Sequence, residues 1–195
     1  MTIDKPEVWM IAITDNPISM YFKNEVISSW EGYVVNHFEA KTPKDLSIDC
    51  DFLNLAFKQR KNSIIEFSDT EKSVWYSHYF LWKHCWDTQT PIIVVEHDVK
   101  LLEDLEDEVF EYDMACLCHD TRYNSDQKPK LAGGAYYIKP RAARKLMEVR
   151  HKKKIINNSD SWIHSVCDKI GHWYDHKCEQ FKNSEVGTTI VHNKI

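Results

Sequence analysis

Hydrophobic and polar positions along the chain alternate between two periods. Residues 7–14 (EVWMIAIT) are dense in strand formers and predict a first strand, closed by the turn signal Asp15-Asn16-Pro17. Ile18, Phe22, Val26 and Trp30 then recur every four residues, which is helical spacing. Residues 33–38 return to strand character, and residues 45–58 are read as a helix. A long helix is predicted from Glu71 to Trp86, with Ser68-Asp69-Thr70 supplying capping side chains and Glu71 placing negative charge in the first turn. The run Pro91-Ile-Ile-Val-Val-Glu-His-Asp98 reads as a strand buried on both faces. An acidic loop or short helix, strands at 113–118 and 132–138, a helix at 141–150 opened by Pro140, a helix at 159–170 and strands at 172–175 and 188–192 complete the pattern. Alternation of strand and helix over most of the length predicts an α/β fold, a mainly parallel sheet flanked by helices.

The chain has 195 residues, 43% of them hydrophobic, and no linker-like or repetitive segment, so one domain spanning 1–195 is expected. No apolar run approaches the roughly 20 residues a membrane span needs, and the first residues lack the pattern of a secretory signal. Six scattered cysteines suit a reducing compartment, and a cytoplasmic protein is expected. The formal net charge of −5 argues against a surface coated for nucleic acid, but the charge is uneven. Residues 96–113 hold nine acids against one lysine, and residues 139–154 hold eight Lys/Arg against one Glu. Such blocks are ordinarily solvated faces; an acidic pole beside a basic one also suits a metal and a polyanion.

Ligands of parallel α/β sheets gather at the carboxyl ends of strands, which is where Glu96-His97-Asp98 falls. With side chains alternating, Glu96 and Asp98 are expected on one side and His97 on the other. Two such carboxylates suit a hard divalent cation, Mg²⁺ or Mn²⁺, or one holds the metal and the other a ribose hydroxyl. The plain reading is a strand emerging into solvent. In the preceding helix, Glu71, Val74, His78, Leu81 and Cys85 share a face, beside an aromatic stripe of Trp75, Tyr79, Trp82 and Trp86. The stripe is core packing; a lone inward histidine is most often a satisfied core residue.

Glu71-x5-Ser77-His78-x3-Trp82, followed by an apolar strand ending in Glu96-His97-Asp98, resembles the glycosyltransferase family that includes lipooligosaccharide and procollagen galactosyltransferases. Residues 132–146, including Gly133, Gly134 and Tyr136, resemble that family's glycine–tyrosine strand and following helix, and the likeness covers roughly residues 65–165. Three features depart from the family pattern: His97 replaces the middle acid, Thr70 replaces a glycine, and an arginine after the first strand is missing. The resemblance implies a GT-A-type domain that transfers a sugar from a nucleotide-sugar donor, such as a UDP-sugar, to an acceptor hydroxyl with the help of a divalent metal. It implies Asp98, Glu96 and His192 as metal ligands, and Glu71, His78, Glu96, Gly133 and Gly134 as donor contacts. Thr14 and Asn16 join the donor contacts by position after the first strand. Asp160 is the candidate base for the acceptor hydroxyl, with Asp120 in reserve.

Residues 16–21, 26–30 and 37–43 also resemble compact glycosyltransferases of tailed phages. With the basic segment, this points to hydroxymethylcytosine in phage DNA as the acceptor, reached by base flipping or in single strands and bound by Arg141, Arg144, Lys152, Lys153 and Lys154. A lipopolysaccharide or other surface glycan is the alternative acceptor. Two non-catalytic readings stand beside these. One is a zinc-binding module built on His164, Cys167, His172, His176 and Cys178. The other is a glycosyltransferase-like binder silenced by His97.

Overall fold

The computed structural model describes residues 5–47, 67–118, 134–148 and 159–181. Strands β1 (Glu7–Ala12), β2 (Val35–Glu39), β3 (Ile92–Glu96), β4 (Val99–Leu101), β5 (Met114–Cys118), β6 (Ala135–Ile138) and β7 (His172–Gln180) form one sheet in the order β2-β1-β3-β6-β5-β7-β4. Helices α1 (Pro17–Ser29), α2 (Asp69–Thr88), α3 (Pro140–Met147) and α4 (Ser159–Ile170) cover it. β1 pairs in parallel with β2 and β3, and β5 with β7, whereas β6 runs antiparallel to both β3 and β5. The α/β expectation is met, with the parallel pairs lying on either side of β6.

Period-two alternation sorts the core into two layers. Ile92 and Val94 of β3, Met114 and Cys116 of β5, and Tyr136 and Ile138 of β6 face α2, α3 and α4. Ile93, Val95, Ala115, Leu117, Ala135 and Tyr137 face the other way, onto Val26 and Trp30 of α1 and the segment holding Leu105, Val109 and Phe110. Both layers are apolar, which is why β3 reads as an unbroken hydrophobic run.

α2 starts at a capping box: Glu71 N–H donates to Ser68 Oγ, and Ser68 N–H donates to the Glu71 carboxylate. It buries Trp75, Tyr76, Tyr79, Leu81, Trp82 and Cys85 against the sheet, so the aromatic stripe is core apart from Trp86, which is partly buried at its edge. Of the helix expected at 45–58, the described part is a short 3₁₀ turn at Asp45–Ser47, and the remainder lies outside the described residues. The strand expected at 188–192 lies outside them as well.

Two boundaries differ from expectation with consequences for the site. β3 ends at Glu96, and His97 and Asp98 form a turn into β4 rather than continuing the strand. β7 runs on to Gln180; its first residues pair with β5, and Cys178–Gln180 pair with β4. β4 follows β3 within three residues, a reach of about 10 Å at most, yet sits at the far end of the strand order. The sheet therefore curls, returning the end of β7 to the carboxyl end of β3. Phe181 N–H closes this junction by donating to Asp98 O at 2.8 Å. Among the described residues no helix is long and apolar enough to cross a membrane.

Candidate functional site at the carboxyl end of the third strand

Three strands meet around Glu96. Its backbone N–H donates to Gly134 O at 2.7 Å, and His97 N–H donates to Ile11 O at 3.0 Å. Gly134 is needed here for space: a Cβ on it would come within 2.9 Å of Val99 Cγ2.

Glu96 follows Val94 on the α2 side of the sheet, where its Oε1 lies 3.5 Å from His78 Nε2. His78 Nδ1 lies 2.8 Å from the Tyr136 hydroxyl, which also accepts a hydrogen bond from Trp82 Nε1 at 2.8 Å. These groups form a polar thread through an otherwise apolar layer. His78 is 1% exposed, and its Nε2 has no hydrogen-bond partner.

Asp98 is 4% exposed. Its Oδ2 accepts from Gln180 Nε2 at 3.0 Å, whereas its Oδ1 is buried without a partner. Burial, and then the neighbouring charge of Glu96, push its carboxyl above the usual range; His97 and the Gln180 bond oppose them. The period-two argument for placing Glu96 and Asp98 together is corrected here, because Asp98 is off the strand. The turn and Gln180 orient it, and Glu96 remains within electrostatic reach. An orphaned, buried carboxylate oxygen beside a second carboxylate is a donor set that suits a hard cation. No group of three or more such side chains occurs among the described residues, so further ligands would have to come from a substrate's phosphates, from water or from elsewhere in the chain.

Asp160 opens α4 and is half-buried, with Ser159 Oγ 3.4 Å from its Oδ1. The Tyr136 hydroxyl is driven well above its normal range by burial, and the charges of Glu96 and Asp160 add to this. Both carboxylates therefore reach the same tyrosine.

The other expected site residues have structural engagements. Thr14 donates through N–H and Oγ1 to the Glu39 carboxylate at the ends of β1 and β2. Asn16 caps α1, its Oδ1 accepting from Ile18 N at 2.9 Å and Ser19 N at 3.1 Å. Glu71, expected on an inward face with His78, turns its carboxylate back onto Ser68, two helical turns away from the histidine. Arg141 pairs with Asp113, and Arg144 pairs with Glu148 and sits over Trp86. β6 ends beside Ile92, so Arg141 starts α3 at the opposite end of the strands from Glu96. Asp120, Gly133, Lys152, Lys153, Lys154 and His192 lie outside the described residues.

Among the described residues the zinc arrangement does not form. Cys167 belongs to the layer under α4 and Cys178 to the opposite layer, so the sheet separates them. His172 stacks on Tyr112, and His164 pairs with Asp168. The stretch 172–178 is part of β7, which contains the strand expected at 172–175 and runs beyond it. An open cleft of about 430 Å³ lined by Lys5, Ser29, Gly32, Leu102 and Asp104 lies at the start of β1, away from this site.

Tyr136 and Gln180 are the functional candidates that the sequence did not single out. Tyr136 occurs within a noted motif, but nothing local to it signals a histidine 58 positions away. Gln180 follows no motif, and only the curl of the sheet brings it to Asp98.

The family model for glycosyltransferase family 25 (LPS biosynthesis protein) matches residues 18–128, more than half of the chain. No curated protein matches the sequence. Among solved structures, the chain is similar to the glycosyltransferase GlyE of Streptococcus pneumoniae TIGR4, with 14% identity and a TM-score of 0.47 over 87% of this chain and 44% of that one. The apo form of GlyE gives 10% identity, a TM-score of 0.47, and coverage of 87% and 45%. This chain thus spans less than half the length of those structures. A glycosyltransferase involved in glycosylation of the major capsid of PBCV-1 gives 10% identity and a TM-score of 0.44, covering 94% of this chain and 95% of that one.

Proposed function

The chain belongs to glycosyltransferase family 25, and from that membership we propose that it transfers a sugar from a nucleotide-sugar donor to an acceptor hydroxyl, with the donor diphosphate over the carboxyl end of β3. The observation that carries this reading is Asp98: a buried carboxylate with one oxygen tied to Gln180, the other orphaned, and a second acid alongside. A folded protein keeps such a group when a ligand compensates it.

Asp98 and Glu96 are the residues that would hold a divalent cation, Mn²⁺ or Mg²⁺, with His192 as a further candidate. When bound, the cation supplies charge neutralisation for the departing diphosphate. Glu96, facing His78 across 3.5 Å, is proposed to share the cation or to bind the donor ribose. Thr14, Asn16, Glu71, His78, Gly133 and Gly134 are proposed donor contacts. In the transfer, the bond between the anomeric carbon and the diphosphate oxygen breaks, and its electron pair leaves with the nucleoside diphosphate. The acceptor oxygen bonds to the anomeric carbon and gives its proton to a carboxylate. Asp160 is proposed as that base for a one-step inversion, with Asp120 in reserve.

For the acceptor, a lipopolysaccharide-type or other surface glycan is favoured by the family's own description. The competing acceptor, hydroxymethylcytosine in phage DNA, draws on the basic run at 139–154. Two of its arginines, Arg141 and Arg144, face acidic partners, and Arg141 lies at the far end of the strands. A nucleotide-sugar donor suits a cytoplasmic enzyme.

The test is a thermal-shift screen of nucleotide sugars with and without Mn²⁺, on the wild type and Asp98→Ala. A ligand at 100 times its Kd should stabilise the wild type by about 2.7 kcal/mol, and Asp98→Ala should lose the Mn²⁺-dependent part. Equal stabilisation of both proteins would overturn the assignment. Asp160→Asn should keep donor binding and stop transfer; an unchanged transfer rate would remove it as the base.

A further inference from the structure

The polar thread Trp82–Tyr136–His78–Glu96 has a direction, and its donor end fixes it. An indole N–H only donates, so the Tyr136 oxygen accepts from Trp82. The tyrosine O–H then needs an acceptor, and His78 Nδ1 lies 2.8 Å away. Were Nδ1 to carry the ring hydrogen, a fully buried hydroxyl hydrogen would be stranded, which the interior penalises. Nδ1 therefore accepts, and the ring hydrogen sits on Nε2, facing Glu96 Oε1 at 3.5 Å.

The Nε2–Oε1 separation is longer than a hydrogen bond, and Nε2 is buried without a hydrogen-bond partner. A donor held by its neighbours, with a carboxylate just out of range, is set to close onto that carboxylate when the carboxylate is drawn into place. The thread runs through a layer whose buried residues are otherwise hydrophobic among the described residues.

We propose that Tyr136 is a positioning residue: backed by Trp82, it holds His78 as the Nε2–H tautomer, which aims that hydrogen at Glu96 Oε1 and so orients the Glu96 carboxylate when the donor binds. This assignment rests on the glycosyltransferase reading for its functional half only. The hydrogen-bond polarity stands on the geometry. Trp82 acts one step further back. The Y136F change keeps the ring and its packing but leaves His78 Nδ1 without its donor, so the imidazole loses its tautomeric preference and Glu96 the N–H that faces it.

The experiment combines ¹⁵N NMR of the His78 ring with a double-mutant cycle. In the wild type, the shifts should show hydrogen on Nε2; in Y136F they should show a mixture. Hydrogen on Nδ1 in the wild type overturns the proposal, as does a tautomer unchanged in Y136F. With a turned-over nucleotide sugar, Y136F should lose roughly tenfold in kcat/KM, and the Y136F/E96Q double variant should be no worse than E96Q alone. Effects that multiply would show Tyr136 acting independently of Glu96, and would also overturn it. W82F keeps the Tyr136–His78 bond and should keep the Nε2–H tautomer, which covers the case of Y136F failing to fold. Absence of turnover with every nucleotide sugar would count against the glycosyltransferase reading, while the tautomer measurement would still decide the polarity.

Discussion

Burial and a like-charged neighbour both work against ionisation of Asp98. Its folded carboxyl binds a proton more tightly than the unfolded chain does. Stability is therefore fullest below the unfolded aspartate range near about pH 4 and falls as pH rises through the raised folded value. Asp98→Asn should flatten that fall and stabilise the ligand-free protein near neutrality by roughly 1 kcal/mol, about 2–4 °C in Tm. Thermal melts across pH 4–8 check it; a variant less stable than the wild type at pH 7 would show that the carboxylate is compensated in the fold. At this scale the sequence exposed the residues that carry charge or recur in a motif: Glu96, Asp98 and His78. It hid their partners. Tyr136 and Gln180 look like ordinary strand residues until tertiary contacts spanning 58 and 82 positions place them.

Most elements were legible, because strong strand runs and a capped helix announce themselves locally. β1, α1, α2, β3 and α4 fall within a few residues of expectation. β4 was not legible: it is three residues long and follows a turn without glycine or proline, so His97-Asp98 read as more strand. β7 ran longer than its expected 172–175, because pairing with two different strands, rather than propensity, sustains it. The junctions between elements make a sharp prediction. At Gly171, between α4 and β7, an added Cβ would meet Met114 O at 2.8 Å and Cys167 Sγ at 2.7 Å, and the carbonyl cannot move without breaking the sheet. At Gly134 the obstacle is a side chain, Val99. Gly171→Ala should cost about 1–3 kcal/mol with no rescue from side-chain trimming. Gly134→Ala should recover when combined with Val99→Ala. Denaturant melts of each glycine variant with and without trimming of its neighbour, Cys167→Ala or Val99→Ala, decide it, and equal rescue at both sites would contradict the steric account.

Across the whole molecule, charge bears on the acceptor. Acids collect at the carboxyl end of β3 and in the following segment, whereas Arg141 begins α3 at the other end of the strands. A duplex held by Arg141 would not, by that contact, be brought to Glu96. Replacing Lys152, Lys153 and Lys154 should leave transfer to a glycan unchanged; a lost DNA affinity with a flattened salt dependence would instead favour the nucleic-acid acceptor. The class of fold was legible at this scale, since strand–helix alternation dictates it. The curl was not, because it depends on where β4 finds its partner.

That curl also sets a timetable. Asp98 and the glutamine that orients it are 82 positions apart in the chain, and contacts at such separation are slow to form because the loop between them must first be ordered. Competence to capture the proposed cation should therefore arrive with the slowest refolding phase, after helical signal has recovered. A stopped-flow record in which manganese binding preceded that phase would mean the acids grip metal without the closing strand.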